Sequence, residues 1–112
     1  MTTLEQARAA ALALPEAFEA DHHGRASFRV AGRVFATVPA PGRLNVMVDP
    51  DGVRTYVERD PQAYSEVWWG ARLAAVAVEL SHVELDELRE LLADAWERRA
   101  PARLRGSLGA RE

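Results

Sequence analysis

The hydrophobic residues of the segment 17–48 alternate with polar ones, and this two-residue period is the strongest constraint on what the chain can fold into. Phe28 and Val30 share one face of a predicted strand, and the dipeptide Ala31–Gly32 directly after it favours a tight hairpin turn. Two further alternating runs, RVFATV and LNVMV, are separated by the turn sequence PAPGR. The segment therefore predicts three or four antiparallel strands joined by short turns.

Helical patterns flank this segment on both sides. Apolar residues recur at helical spacing and predict a helix over residues 3–14, with Thr2 and Glu5 as its capping box. Near the other end, a capping box that begins at Ser81 predicts the start of a long helix, which Pro101 ends.

The rest of the chain completes an α+β pattern. Asp49 and Pro50 suit the cap and first position of a short middle helix, and an apolar run predicts a strand over residues 72–80. We expect an α+β fold in a single domain over residues 1–100, with a mostly antiparallel sheet of about five strands. Residues 101–112 carry several arginines and are predicted to be a frayed basic tail.

Composition excludes several kinds of chemistry. The 112 residues include no cysteine, which excludes disulfides, zinc–thiolate sites, iron–sulfur clusters and thiol nucleophiles. All 14 basic residues are arginine, so Schiff-base lysines and the phosphate-binding lysine of P-loops are excluded too. The net charge of −3 argues against a strongly basic nucleic-acid-binding domain. No basic leader or long apolar run is present, and we expect a cytoplasmic protein.

The sequence Asp21-His22-His23 is the most conspicuous candidate for a metal site. Neighbouring residues of a strand point to opposite faces, so two adjacent histidines do not readily share one metal ion. We interpret the three residues as a turn that leads into a strand, and we expect neither a metal nor another cofactor. The serines lack the context of a catalytic nucleophile, so no catalytic residue is predicted and we expect a protein that is not an enzyme.

The predicted strands place arginines and an aromatic residue on the sheet face opposite the valines. Such a face suits phosphates, stacked bases or a peptide. The alternative is a solvated face on which Phe35 is covered by a helix or loop. The residues assigned to this face are Arg29, Arg33, Phe35, Thr37, Arg43, Asn45 and Met47, opposite Val30, Val34, Val38, Leu44 and Val46.

Two adjacent tryptophans, Trp68 and Trp69, form a second candidate surface. Both indoles cannot easily be buried, and an exposed Trp69 beside Arg72 would favour partner binding. The alternative is that the two rings cover opposite sides of the edge of the sheet.

The run GRASFRVAGRVFATV resembles the signature of the MmcQ/YjbR family of small bacterial proteins, and ERDPQAYSEVWWGAR and VELDELRELLADAWERRAPARL agree with it. Many relatives begin the last strand with tryptophan, where this chain has Arg72-Leu73-Ala74. The resemblance implies a curved antiparallel sheet backed by helices, similar to type III secretion chaperones and frataxin-like proteins. Members are commonly labelled DNA-binding, and the resemblance implies no catalytic residues.

These observations together predict a small, non-enzymatic binding protein. Nucleic acid is the leading partner, bound electrostatically through Arg29, Arg33, Arg43 and the tail, with Phe35 or a tryptophan stacking on a base. The alternative is a protein- or peptide-binding module that uses the sheet face or the rim formed by the two tryptophans.

Overall fold

The computed structural model describes residues 1–106, which form three helices and one six-stranded sheet. The helices are α1 (Leu4–Leu12), α2 (Pro50–Arg59) and α3 (Leu85–Arg99). The strands are β1 (Phe18–His22), β2 (Arg25–Val30), β3 (Arg33–Ala40), β4 (Arg43–Val46), β5 (Tyr64–Trp69) and β6 (Arg72–Glu79).

The sheet is antiparallel throughout, with the strand order β1-β2-β3-β4-β6-β5. The predicted α+β class is thus confirmed, with one strand more than the five expected. The additional strand is β5, a segment for which the sequence analysis predicted no strand. Strand β5 lies at the edge of the sheet and its burial does not alternate in the way that marks a half-buried strand.

Two hairpin turns use the left-handed backbone conformation that tight turns require. Ala31 and Gly32 have φ values of 50° and 78°, and His23 and Gly24 have φ values of 55° and 82°. The Asp21 carboxylate accepts a hydrogen bond of 3.1 Å from the Gly24 amide. Of the turn predicted at Asp21-His22-His23, only His23 belongs to the hairpin turn between β1 and β2, together with Gly24, while Asp21 and His22 end strand β1.

All three helices pack on one face of the sheet and enclose the core there. Helix α1 contributes alanines, and α3 contributes Trp96, which is fully buried. The Trp96 indole N–H donates a hydrogen bond of 2.9 Å to the carbonyl of Pro15, which ties α3 to the end of the first helix. None of the helices in residues 1–106 is long and apolar enough to cross a membrane.

The caps of α1 and α3 differ from those predicted. Thr3 and Gln6, one position later than the predicted pair, form the capping box of α1. Thr2 is instead buried, and its hydroxyl donates to the carbonyl of Val83 at 2.8 Å. Ser81 lies in a 3₁₀ turn, and α3 begins at Leu85 without a side-chain cap.

A β-bulge in β3 changes which residues face the core. Phe28 pairs with Ala36 and Arg29 pairs with Val34, so Phe35 is an extra residue without a partner on β2. Phe35 and Ala36 are both fully buried in the core. The prediction that Phe35 shares a face with the arginines is therefore wrong, and so is the placement of Arg33 on the face opposite Val30, because the two residues are cross-strand partners. Val34 takes the place of Phe35 on the sheet face away from the helices, called here the open face.

The chain beyond α3 continues along the surface of the domain. Leu104 is buried against the core, and both guanidinium nitrogens of Arg103 donate to the Glu16 carboxylate at 3.0 and 3.1 Å. Residues 107–112, the remainder of the predicted basic tail, lie outside the described part of the chain.

Replacing Phe35 with alanine tests the bulge. Because the ring is fully buried, we expect Phe35→Ala to lower the free energy of unfolding by about 3–5 kcal/mol, and Phe35→Leu to lower it by less. Val34→Ala, at the neighbouring position on the open face, is the control and should cost roughly 1 kcal/mol or less. Urea unfolding followed by tryptophan fluorescence measures all three, and equal losses at the two positions would contradict the assigned faces.

Candidate ligand-binding groove

A groove of about 470 Å³ lies on the open face of the sheet. Its lining comes from β1, β3, β5, the end of β4 and the end of α3: His22, Arg33, Val34, Thr37, Met47, Trp69 and Arg99. Strands β1 and β5 are opposite edges of the sheet, yet His22 and Trp69 line the same groove. The sheet must therefore curve enough to bring its two edges towards each other.

The middle of the open face is apolar and closely packed. Met47 is 2% exposed, and the small residues Ala75 and Ala77 on β6 are also buried. Ser27 is the polar exception, and its hydroxyl is satisfied by donating to the Ala20 carbonyl at 2.9 Å. A ligand in the groove would thus meet mostly hydrocarbon on this side.

Three arginines, Arg33, Arg72 and Arg99, are called here the arginine cluster: Arg33 and Arg99 line the groove, and Arg72 lies over its Trp69 wall. Burial and the neighbouring guanidinium groups of Arg98, Arg72 and Arg33 lower the pKa of Arg99. Arg99 stays charged even so, because a guanidinium is effectively always protonated in proteins. Within residues 1–106, none of the three forms an ion pair with a carboxylate.

The side chain of Arg99 also contains a hydrogen-bond donor that no described residue accepts from. Its Nε is buried and has no hydrogen-bond partner among the described residues. A buried donor without a partner costs roughly 1–3 kcal/mol, more when the group is charged. The arginine cluster is therefore a place where a bound anion would offset charge that no carboxylate of residues 1–106 offsets.

Trp69 forms the aromatic side of the groove. Its ring is half exposed, and the Arg72 guanidinium lies over it with the central carbon 5.2 Å from the ring centroid. Trp68 is equally exposed but pairs with Leu73 on the core side, and its indole N–H donates to Glu66 at 3.1 Å. The two tryptophans therefore flank opposite sides of the sheet edge, as the alternative interpretation proposed, and Trp69 faces the groove.

The structure brings together some of the predicted site residues and separates others. Arg33, Trp69 and Arg72 meet at the arginine cluster. Arg43 instead forms an ion pair with Glu79, with Nε 2.8 Å from the carboxylate, and Arg29 donates to Ser27 and to the Asp21 carbonyl. These two arginines hold neighbouring strands together and are less available to a partner.

Arg99 was missed because nothing in the sequence distinguishes it from the other arginines at the end of the last helix. Its position in the groove depends on how α3 crosses the sheet, which is a tertiary property. His22 was considered as a metal ligand and interpreted as part of a turn, although it lines the same groove as Trp69.

A second, smaller concavity of about 250 Å³ lies between α2 and α3. It contains Asp49 and Asp94, but Asp49 accepts a hydrogen bond of 2.7 Å from the Gly52 amide as the N-cap of α2. Burial, and then repulsion by Glu90, Asp49 and Glu97, raise the pKa of Asp94. This cleft is explained by helix capping and crowding of carboxylates, so the groove is the stronger candidate site.

The fold and the groove define a small α+β protein whose curved, open sheet carries helices on one face and a ligand-sized groove on the other. The sequence model of the YjbR family matches residues 12–98. The chain therefore belongs to the YjbR family, as the resemblance of its motifs predicted.

Among solved structures, the chain is similar to the crystal structure of Deinococcus radiodurans protein DR2400, which has a DUF419 domain. The two are 24% identical with a TM-score of 0.77, and the match covers 97% of this chain and 89% of that one. At this identity the likeness supports the fold. No curated protein matches the chain.

Asp94→Asn tests the electrostatics of the second cleft. Because the folded state raises the pKa of Asp94, the unfolded chain loses its proton first as pH rises above about 4, and stability falls through that range. The cost is greatest where Asp94 is ionised in both states, and pH 7 is the condition for the test. Removing the charge there should raise the free energy of unfolding by roughly 0.4–1 kcal/mol, since two like-charge pairs at helical spacing are relieved.

The gain from Asp94→Asn should disappear near pH 3, where both states are protonated. Asp86→Asn is the matched control, because Asp86 lies in the first turn of the same helix, where a negative charge is favourable. Urea denaturation at pH 7 and pH 3 gives the comparison. Equal effects of the two substitutions would refute the claim that the surroundings of Asp94 destabilise its ionised form.

Proposed function

We propose that this protein is a non-enzymatic binding protein whose partner is single-stranded nucleic acid, bound at the arginine cluster of the groove. One observation carries the proposal. The arginine cluster has no carboxylate partner within residues 1–106, and it lies beside a half-exposed tryptophan. Guanidinium groups that track phosphates and aromatic rings that stack on bases are the usual elements of single-strand recognition.

Local charge supports this proposal despite the net charge of −3. Many of the carboxylates lie on the helices or in ion pairs away from the groove, such as those of Arg54 with Asp51 and Arg89 with Asp86. Phosphate contacts with arginines give affinity that depends strongly on salt and carries little sequence information.

The proposed surface differs from the platform expected from the sequence. Phe35 is in the core, and Arg29 and Arg43 are engaged within the sheet. Arg33 belongs to both the expected and the proposed surface, and Trp69 and Arg72 are now the main proposed contacts with the nucleic acid.

The lining of the groove favours binding over catalysis. It combines three apolar or aromatic side chains with two guanidinium groups, Thr37 and His22, and no carboxylate of the described residues lines it to orient the His22 imidazole as a catalytic base. Acid–base catalysis requires a proton donor and acceptor placed at a reacting group. Such a lining is suited to holding a ligand.

Peptide binding is a second candidate, favoured by one observation. Trp68 and Trp69 are both 49% exposed on β5, which is an edge strand of the sheet. A peptide could extend the sheet there, with main-chain hydrogen bonds supplying affinity and an indole anchoring a side chain.

The test is fluorescence anisotropy of labelled single- and double-stranded DNA at about 50 and 200 mM salt. With three to four phosphate contacts, affinity for the single strand should fall roughly 20- to 50-fold between the two conditions. The double substitution Arg33→Gln/Arg72→Gln should weaken binding at low salt and reduce the dependence on salt.

The matched control is Arg54→Gln/Arg89→Gln, which removes the same charge from two exposed helical arginines whose ion pairs contribute little stability. Equal loss in both double variants would mean that net charge alone governs binding. DNA binding that is insensitive to salt would contradict the arginine cluster as the contact surface, and no binding at low salt would refute nucleic acid as the partner.

A further inference from the structure

We infer that the groove is a binding site for a small ligand in which a flat apolar ring system carries one anionic group, a phosphate, sulfonate or carboxylate. The inference rests on the proposed function because it uses the same groove. It adds the chemical class of the part that enters the groove. The ring and the anionic group would belong to a free small molecule or to a single nucleotide of a nucleic-acid strand. In either case it enters the groove and does not merely lie across its rim.

The size and walls of the groove suit one ring system. Its volume of about 470 Å³ lies within the range of about 300–1,000 Å³ that is typical of small-molecule sites. Val34 and Met47 provide aliphatic surface, and the Trp69 indole provides a flat wall. Arg72 lies over the indole and restricts its orientation, so the wall is partly formed before any ligand binds.

The anionic group is specified by Arg33 and Arg99. Both line the groove, and neither forms an ion pair within residues 1–106. The Nε of Arg99 is buried and has no hydrogen-bond partner there, so an oxyanion bound beside this guanidinium would offset a charge that the described residues leave uncompensated. Charge-assisted hydrogen bonds from guanidinium to oxyanions are among the strongest available to a protein.

The bulge in β3 places the apolar walls and the two arginines of the groove in one cavity. It directs Phe35 into the core and leaves Val34 on the open face beside Thr37. If β3 alternated regularly, a phenyl ring would occupy the position where the groove now opens. The open space beside the arginine cluster is therefore a product of the register of the sheet.

Two fluorescent probes test binding of the ring and binding of the anionic group separately. They are 8-anilinonaphthalene-1-sulfonate and N-phenyl-1-naphthylamine, which share one ring system, and only the first is charged. Fluorescence titration of the full chain should show one sulfonate probe bound per chain, at least about tenfold more tightly than the neutral probe. In Arg33→Gln/Arg99→Gln this preference should fall to within about twofold, while affinity for the neutral probe is unchanged. Arg54→Gln/Arg89→Gln is the charge-matched control and should keep the preference.

Val34→Trp should fill the groove and reduce binding of both probes, and Thr37→Phe is the second variant in case the first does not fold. Circular dichroism and a cooperative thermal transition verify folding in each case. The inference is overturned by equal affinity for the two probes, by more than one bound probe per chain, or by unchanged binding in a folded groove-filling variant.

Competition identifies the source of the ring and separates this inference from the proposed function. Adenosine monophosphate and an unlabelled single-stranded oligonucleotide are each added to the complex with the sulfonate probe. Displacement by either supports the inference, and the more effective competitor shows whether a free molecule or a strand is the source. An oligonucleotide that binds by anisotropy but leaves the probe in place would overturn the inference and retain the proposed function. Site-specific probe binding without any binding of the oligonucleotide would support the inference and refute the proposed function.

Discussion

The packing of all three helices on one face of a single sheet is the constraint on which the rest of the structure depends. A sheet with one covered face must protect the backbone and apolar groups of the other face by its own shape. Here three strand pairs shift register, between β2 and β3, β3 and β4, and β5 and β6. Bulges of this kind bend strands and increase twist. The resulting curvature buries Ala75 and Met47 without any layer above them and leaves a groove between the edges of the sheet.

The same curvature explains why charges of one sign accumulate at the groove. Arg33 begins β3, Arg72 begins β6 and Arg99 ends α3, three places that are distant in sequence. Each is exposed or half-buried at the end of an element, where a long side chain reaches solvent at little cost. Burial is the main cause of the lowered pKa of Arg99, and repulsion by Arg98, Arg72 and Arg33 adds to it, so their convergence also costs electrostatic free energy. No ion pair with a carboxylate of residues 1–106 offsets this cost. Such an arrangement is more typical of a binding site than of a surface shaped by stability alone.

The sequence predicted the elements far better than it predicted the site. Periodicity and turn residues identified the helices, most of the strands and the hairpin at Ala31–Gly32, because these depend on local patterns. The bulge at Phe35 was missed, since alternation was assumed to continue through β3 and a single extra residue reverses the faces on either side. Arg99 and the pairing of Arg43 with Glu79 were missed because both follow from tertiary placement.

His22 and Trp69 lie on the two edge strands, and this has a consequence for the motions of the domain. Edge strands have neighbours on one side only and so belong to the parts of a sheet that open most easily in local unfolding. A molecule that contacts both walls of the groove would link these two weakly held strands across the whole width of the sheet. It would act as a non-covalent staple, slowing hydrogen exchange in β1 and β5 together although the two strands share no hydrogen bond.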